Sequence, residues 1–319
     1  MNQPPPNTDA LVTRLRGIRR ITIFDTNAYR GLVHNRRPAV AMERCARLVE
    51  SDCAQSTIAL AIPWVIVELI AHLRSMEDPA FEVCLAAIGA LWIHCRTQTD
   101  EGETLGLVTD SETQLGRSLY LTVADSATKT NQLLTGMVQE IAANPTAEGL
   151  ANLRDEIEQC GKITDKFEFA FVRSMRRVLE DYNPTDPEQR REYGRMLNSP
   201  EGRLIGARIA VIRARAVLGI SDPDPDLDDR VLAVANQFPV ATGLHAFKLR
   251  QMAIDGLDIM AHRNSAWDID ICYYIGQTIA GVPVQLVTTD KDIVTRAQLA
   301  GQGTLVQNLH SYLSAAGMV

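Results

Sequence analysis

Residues 21–32 read ITIFDTNAYRGL. Ile21 to Phe24 form an unbroken apolar run, the pattern of a strand covered on both faces, and the run stops directly on Asp25, Thr26 and Asn27. A carboxylate is poorly suited to a core, so its position calls for a reason. In a parallel α/β sheet that reason is a ligand, because ligands collect outside the carboxyl ends of the strands.

The same grammar recurs on both sides of the chain. A helix is predicted over 39–53 and a strand over STIALAI, 56–62, after which Pro63 opens the helix WVIVELIAHL with Glu68 in its first turns. Towards the other end the patterns predict a helix over 266–280, a strand VPVQLVTT at 282–289, a helix KDIVTRAQLA at 291–300, a last strand GTLVQ at 303–307 and a short terminal helix. Strands alternating with helices define an α/β fold, a parallel sheet flanked by helices. Residues 1–10 are Pro-rich and expected to be disordered, with a short helix over 11–18.

From about 78 to 262 almost nothing reads as strand. Helical periodicity dominates at 79–95, 113–143, 146–160, 166–182, 202–220, 227–238 and 241–256, with turn and capping chemistry at 183–188, 198–202 and 221–229. The expectation is a large all-α block within the α/β fold. Asp222, Asp224 and Asp226 alternate as in a calcium loop, but Leu227 and Ala233 stand where such a loop needs Gly and Glu. The stretch is a capping loop.

The chain has 319 residues, enough for one or two domains, and 46% hydrophobic against 22% charged residues is a soluble profile. No apolar run approaches the roughly 18 residues of a membrane span, and MNQPPPNTD has no basic leader region, so a cytoplasmic protein is expected. The six cysteines form no CxxC pair and carry no zinc pattern. A net charge of −7 opposes coating of nucleic acid by bulk electrostatics. Local arginine clusters remain available, notably Arg36 with Arg37, Arg173 with Arg176 and Arg177, and Arg203, Arg208, Arg213 and Arg215.

Asp290 follows the predicted strand 282–289 as Asp25 follows 21–24, and Asp268 and Asp270 open the helix before that strand. Together with Glu68, these segments can bring acids to one edge of the sheet. Taken singly, Asp25 and Asp290 also suit helix caps, Asp268 and Asp270 suit first-turn acids, and Glu68 suits a solvated helix face. Taken together they repel one another unless a cation neutralises them, and oxygen-only donors favour Mg²⁺ or Mn²⁺.

Four segments in this order resemble a PIN-domain nuclease: FDTNAYRGL the opening strand with its Asp, PWVIVELIAHL the helix with the Glu, WDIDICYYIGQTIAG the helix with the third acid, and LVTTDKDI the turn with the fourth. The resemblance implies a PIN-like parallel sheet with metal-binding and catalytic acids at Asp25, Glu68, Asp268 and Asp290. Asp268 is followed by Ile271 and Cys272 as the family's third acid is, which leaves Asp270 as an auxiliary ligand. Asn27 and Thr288 match supporting positions beside the metal, and Asp292 is a further ligand or a helix cap.

The resemblance covers 20–75 and 263–310, and the gap of 200 residues between Glu68 and Asp268 (268 minus 68) far exceeds that of typical members. It implies an N-terminal tail and short helix (1–18), a discontinuous PIN-like catalytic domain (19–77 plus 263–319) and a helical insertion domain (78–262). The insertion is expected to act as a cap or clamp, or as a partner-binding or dimerising domain. Arg30, Arg36, Arg37, Arg173, Arg177 and Arg208 are the candidates for holding phosphates; Tyr29 is a candidate for base stacking, whereas Trp92, Phe167, Phe169 and Phe171 fit a core better. The expected activity is an endoribonuclease acting on RNA, as a toxin or defence effector with an antitoxin or other protein partner. The alternatives are cleavage of structured DNA and a catalytically idle scaffold; a homodimer is compatible with all three.

Overall fold

Strand β1 (Arg20–Phe24) lies inside a sheet in the computed structural model, which describes residues 15, 17–99, 102–120, 127–180, 182 and 185–318. The tail 1–10 and most of the helix expected over 11–18 fall outside these residues.

β1 pairs in parallel with β2 (Thr57–Ala59), Ile21 opposite Ile58, and on its other side with β6 (Val282–Thr288), Ile21 opposite Val284 and Phe24 opposite Val287. β7 (Val306–Asn308) extends the parallel sheet beyond β6, Thr288 opposite Asn308. Ile21 and Ile23 are fully buried, so the apolar run is continuous because both faces of the strand are covered. The chain leaves β1 towards β2 and leaves β6 towards β7, so a crevice opens between the carboxyl ends of β1 and β6.

The helix expected over 266–280 is shorter. It runs Ser265–Ile271, tightens into a 3₁₀ turn at Cys272–Tyr274, and gives way to β5 (Thr278–Ile279), antiparallel to the start of β6. Ala280 and Gly281 turn this hairpin with φ of 49° and 80°, the left-handed pair that a two-residue hairpin loop requires. The last strand also starts later than expected, behind a 3₁₀ turn at Gly303–Leu305.

Between 81 and 253 the described elements are helices apart from one antiparallel hairpin, β3 (Arg96–Thr99) with β4 (Gly102–Leu105). That hairpin is the exception in a stretch read as almost wholly helical: RTQT and GETL are short and polar, and carry no apolar alternation to announce them. The segments read as helices at 146–160 and 166–182 become a short helix, Ala147–Asn152, and one continuous helix, Arg154–Val178. Gly161 lies inside the latter because a Cβ there would collide with the Arg74 side chain crossing it.

The helix Phe81–Cys95 packs on Thr26–Val33 and Pro38–Ala54, and Arg154–Val178 packs on Pro63–Ala71. Pro239–Ala253 packs on Ser265–Ile271 and Lys291–Leu299. The buried apolar side chains thus form one cluster, running from Ile21 through Ala210 to Leu313.

Tyr29 belongs to this core. It is fully buried, its hydroxyl 3.3 Å from His94 Nδ1 and 3.0 Å from Cys95 Sγ, while His94 Nε2 lies 2.9 Å from Asp52 Oδ2 and Tyr312 donates to Asp52 Oδ1 at 2.5 Å. It turns inward because its face of the helix packs on Phe81–Cys95, which rules out base stacking. Phe169, expected in the core, is 52% exposed. The six cysteines are free and all but Cys53 are buried. No described helix is long and apolar enough to cross a membrane.

Candidate functional site

Asp25 is the N-cap of the helix Thr26–Val33, its Oδ1 accepting from Ala28 N at 2.5 Å, while Thr288 Oγ1 donates to its other carboxylate oxygen. Asp290 caps Lys291–Leu299, accepting from Asp292 N at 2.6 Å and Ile293 N at 3.1 Å. The capping role and the strand-end role therefore coincide in both residues. Each carboxylate is fixed at the end of a parallel strand by the helix it starts.

Glu68 accepts from Thr26 Oγ1 at 2.5 Å, which ties the helix Pro63–Ala71 to the residue after Asp25. Asp268 stands in the first turn of Ser265–Ile271. Its carboxylate accepts no hydrogen bond and forms no ion pair among the described residues, while its backbone carbonyl accepts from the Cys272 thiol. Lys248, whose charge reaches Asp268, is itself bonded to Asp292 Oδ2 at 2.9 Å.

The charges of these acids act on one another. Burial pushes Asp25 up to about 7, with Asp290 adding to the rise and Thr288 and Ala28 opposing it. Burial also pushes Glu68 up to about 7, with Thr26 opposing and Asp25 and Glu168 adding. Asp268 is held well above the ordinary carboxylate range, first by burial and then by Asp290, Glu68 and Asp25. Glu68 and Asp268 keep partial exposure to a cleft of about 630 Å³, whose lining includes Asp25, Glu68, Asp268, Asp270 and Arg30. Asp290 lies off that lining.

The auxiliary acid sits elsewhere in its bonding. Asp270 is 2% exposed, accepts from Ser111 Oγ at 2.7 Å, and lies 3.3 Å from Arg213 Nη2, which also pairs with Glu112. Trp64 donates its indole N–H to Glu112 at 3.3 Å. Asp270 therefore anchors the helix that carries Asp268 to the helix Pro200–Val217. Asn27 is exposed on the cleft, and the groups bonded to Asp25 are Ala28 N and Thr288. Asp292 is held by Lys248.

Of the six arginines expected at phosphates, Arg30 lines the cleft and its charge opposes the rise at Glu68. Arg36, Arg37, Arg173 and Arg177 are exposed away from it, and Arg208 pairs with Asp228 at 2.5 Å. Sequence reasoning missed Glu168, a further acid on the cleft, which accepts from the Trp267 indole at 3.2 Å and pairs with Arg263 at 2.5 Å. It also missed Thr26, although a hydroxyl immediately after the strand-end acid was a signal for it.

The donor chemistry fits a hard divalent cation: carboxylates on separate elements, Asp25, Glu68 and Asp268 each raised by a neighbouring acid, and the Asp268 carboxylate without a partner among the described residues. As the side chains stand, no group of three or more His, Cys, Asp or Glu among the described residues is arranged to hold a metal ion. Compared with known proteins, the chain matches no family model, no curated protein and no solved structure.

Proposed function

We propose that the protein is a Mg²⁺- or Mn²⁺-dependent endoribonuclease with a PIN-like core and a large helical insertion, acting as a toxin or defence effector with a protein partner. The observation that carries this reading is the electrostatic coupling of buried acids from separate elements: Asp290 raises Asp25 and Asp268, Asp25 raises Glu68 and Asp268, and the Asp268 carboxylate has no partner among the described residues. Such a set costs stability unless a cation neutralises it.

Asp25, Glu68, Asp268 and Asp290 would hold the ion, with Asp270 as an anchor of the third acid's helix. A bound divalent ion supplies Lewis-acid polarisation of a phosphodiester and favours attack by water. The Thr288 hydroxyl favours the ionised form of Asp25, and Thr26 does the same for Glu68. Arg30 is placed on the cleft to meet a phosphate oxygen, positioning the strand without reading its sequence.

The test is cleavage of labelled single-stranded RNA with millimolar Mg²⁺ or Mn²⁺. Asp25→Ala and Asp290→Ala should abolish it with the fold intact by circular dichroism; wild-type rates in both variants would end the proposal. Branched DNA assayed with the same preparation separates the RNA from the DNA reading.

A second reading is a catalytically idle scaffold whose helical part recruits a partner. Calorimetric titration with Mn²⁺ decides between them. No heat of binding at millimolar metal supports the scaffold.

A further inference from the structure

The helix Pro187–Leu197 carries Arg191 and Arg195 one turn apart, both exposed, with Gly194 between them. With Asn198, Arg250 and Ile254 they line an open groove of about 760 Å³ that shares no residue with the acid cleft. Arg250 is engaged by Asp255 at 3.0 Å, and neighbouring Arg190 donates to the Ile254 carbonyl at 2.7 Å. Among the described residues Arg191 and Arg195 make no ion pair and no hydrogen bond.

Arg195 suits the helix dipole from the last turn, but two features of the pair's setting cost stability. Like charges at i and i+4 repel, and glycine within a helix is less stable than alanine. Packing explains neither. A Cβ at Gly194 would meet nothing within 4 Å, and Gly194 is not among the glycines with positive φ. Gly194 leaves the helix backbone open between the two guanidinium groups, where an extended anion can lie close to it.

We propose that this groove docks the phosphodiester backbone of a nucleic-acid strand, at a site apart from the acid cleft. Its unpaired cations are arginines, whose planar forks match phosphate oxygens two at a time. Four residues of helix rise about 6 Å, on the scale of the step between successive phosphates along a strand. The groove is open to solvent, which admits a chain.

The test uses the full chain in EDTA, so that no cleavage occurs, with a fluorescein-labelled 20-mer oligouridylate followed by anisotropy across a salt series. Arg191→Ala/Arg195→Ala should weaken binding at least about tenfold and lower the log–log salt slope by about two. Gly194→Leu should weaken binding several-fold while raising Tm, opposite signs that a purely structural glycine would not give. Unchanged affinity and slope in the double variant would overturn the proposal, as would polyglutamate of equal charge displacing the oligonucleotide as well as unlabelled oligouridylate does. Hydrolysis of bis(p-nitrophenyl) phosphate with Mn²⁺ reports on the acid cleft alone and should be unaffected by all three substitutions, so the two readings fail separately.

Discussion

The Thr288 hydroxyl bridges two acids: it donates to Asp25 Oδ2, 263 residues away in sequence, and accepts from the backbone N–H of Asp290 at 2.8 Å. The link exists because β1 and β6 are paired with Phe24 opposite Val287, which sets the next residues of both strands side by side. Thr288→Val keeps the shape and removes the donor. It should cost about 1–2 kcal/mol in urea unfolding and raise the Asp25 pKa further, since the hydroxyl opposes the rise. The acid limb of the cleavage pH profile should then move to higher pH, and Thr288→Ser should restore it.

Metal-free protein should lose stability as pH rises through the range in which Asp25 and Glu68 titrate. Both folded carboxyls sit at about 7 against ordinary values of 3.8 and 4.5. Between those limits the unfolded chain ionises while the folded carboxyl keeps its proton, so stability falls across the window and levels off above it. Urea midpoints in EDTA from pH 5 to 7.5 should fall less in Asp25→Asn and Glu68→Gln than in wild type, by roughly 2 kcal/mol per carboxyl. Millimolar Mn²⁺ should recover the loss in wild type, most strongly at pH 8.

Arg213 neutralises two buried carboxylates at once, Glu112 and Asp270. Arg213→Met leaves both uncompensated. The cost should be about 2–3 kcal/mol, below the usual figure for breaking a buried pair because the Arg213 side chain is 34% exposed. Because Asp270 anchors the helix of Asp268, apparent metal affinity should fall as well, and excess Mn²⁺ should restore cleavage. Thermal melts and a metal titration of the rate check both effects.

Tyr312→Phe removes the hydroxyl that donates to Asp52 in the buried network behind β1. Stability should drop by about 1–2 kcal/mol with cleavage at the wild-type rate, because no member of that network lines the cleft. Differential scanning fluorimetry beside an RNA cleavage assay separates the two.

Much of the sheet was legible because its signals are local. Ile21 to Phe24 and the run through Val287 declare buried strands, and each ends on an acid that also starts a helix. The rest depends on contacts remote in sequence. Glu168 is bonded on the cleft to Trp267, 99 residues away, and Asp270 is bonded by Ser111 and Arg213, 159 and 57 residues away. Near Asp270 in the chain, only the Ile271 and Cys272 that follow Asp268 at the resemblance's spacing set the two apart. The helix Phe81–Cys95 is apolar nearly all round, the pattern of a helix buried on every side, and it packs directly on the helices around β1.

Anomalous diffraction from crystals grown with Mn²⁺ tests the proposed metal site most directly. A peak bonded to carboxylate oxygens of Asp25 and Asp268, with Glu68 or Asp290 within reach through a ligand water, is the predicted result. A map at millimolar Mn²⁺ with no peak at these four acids would contradict it.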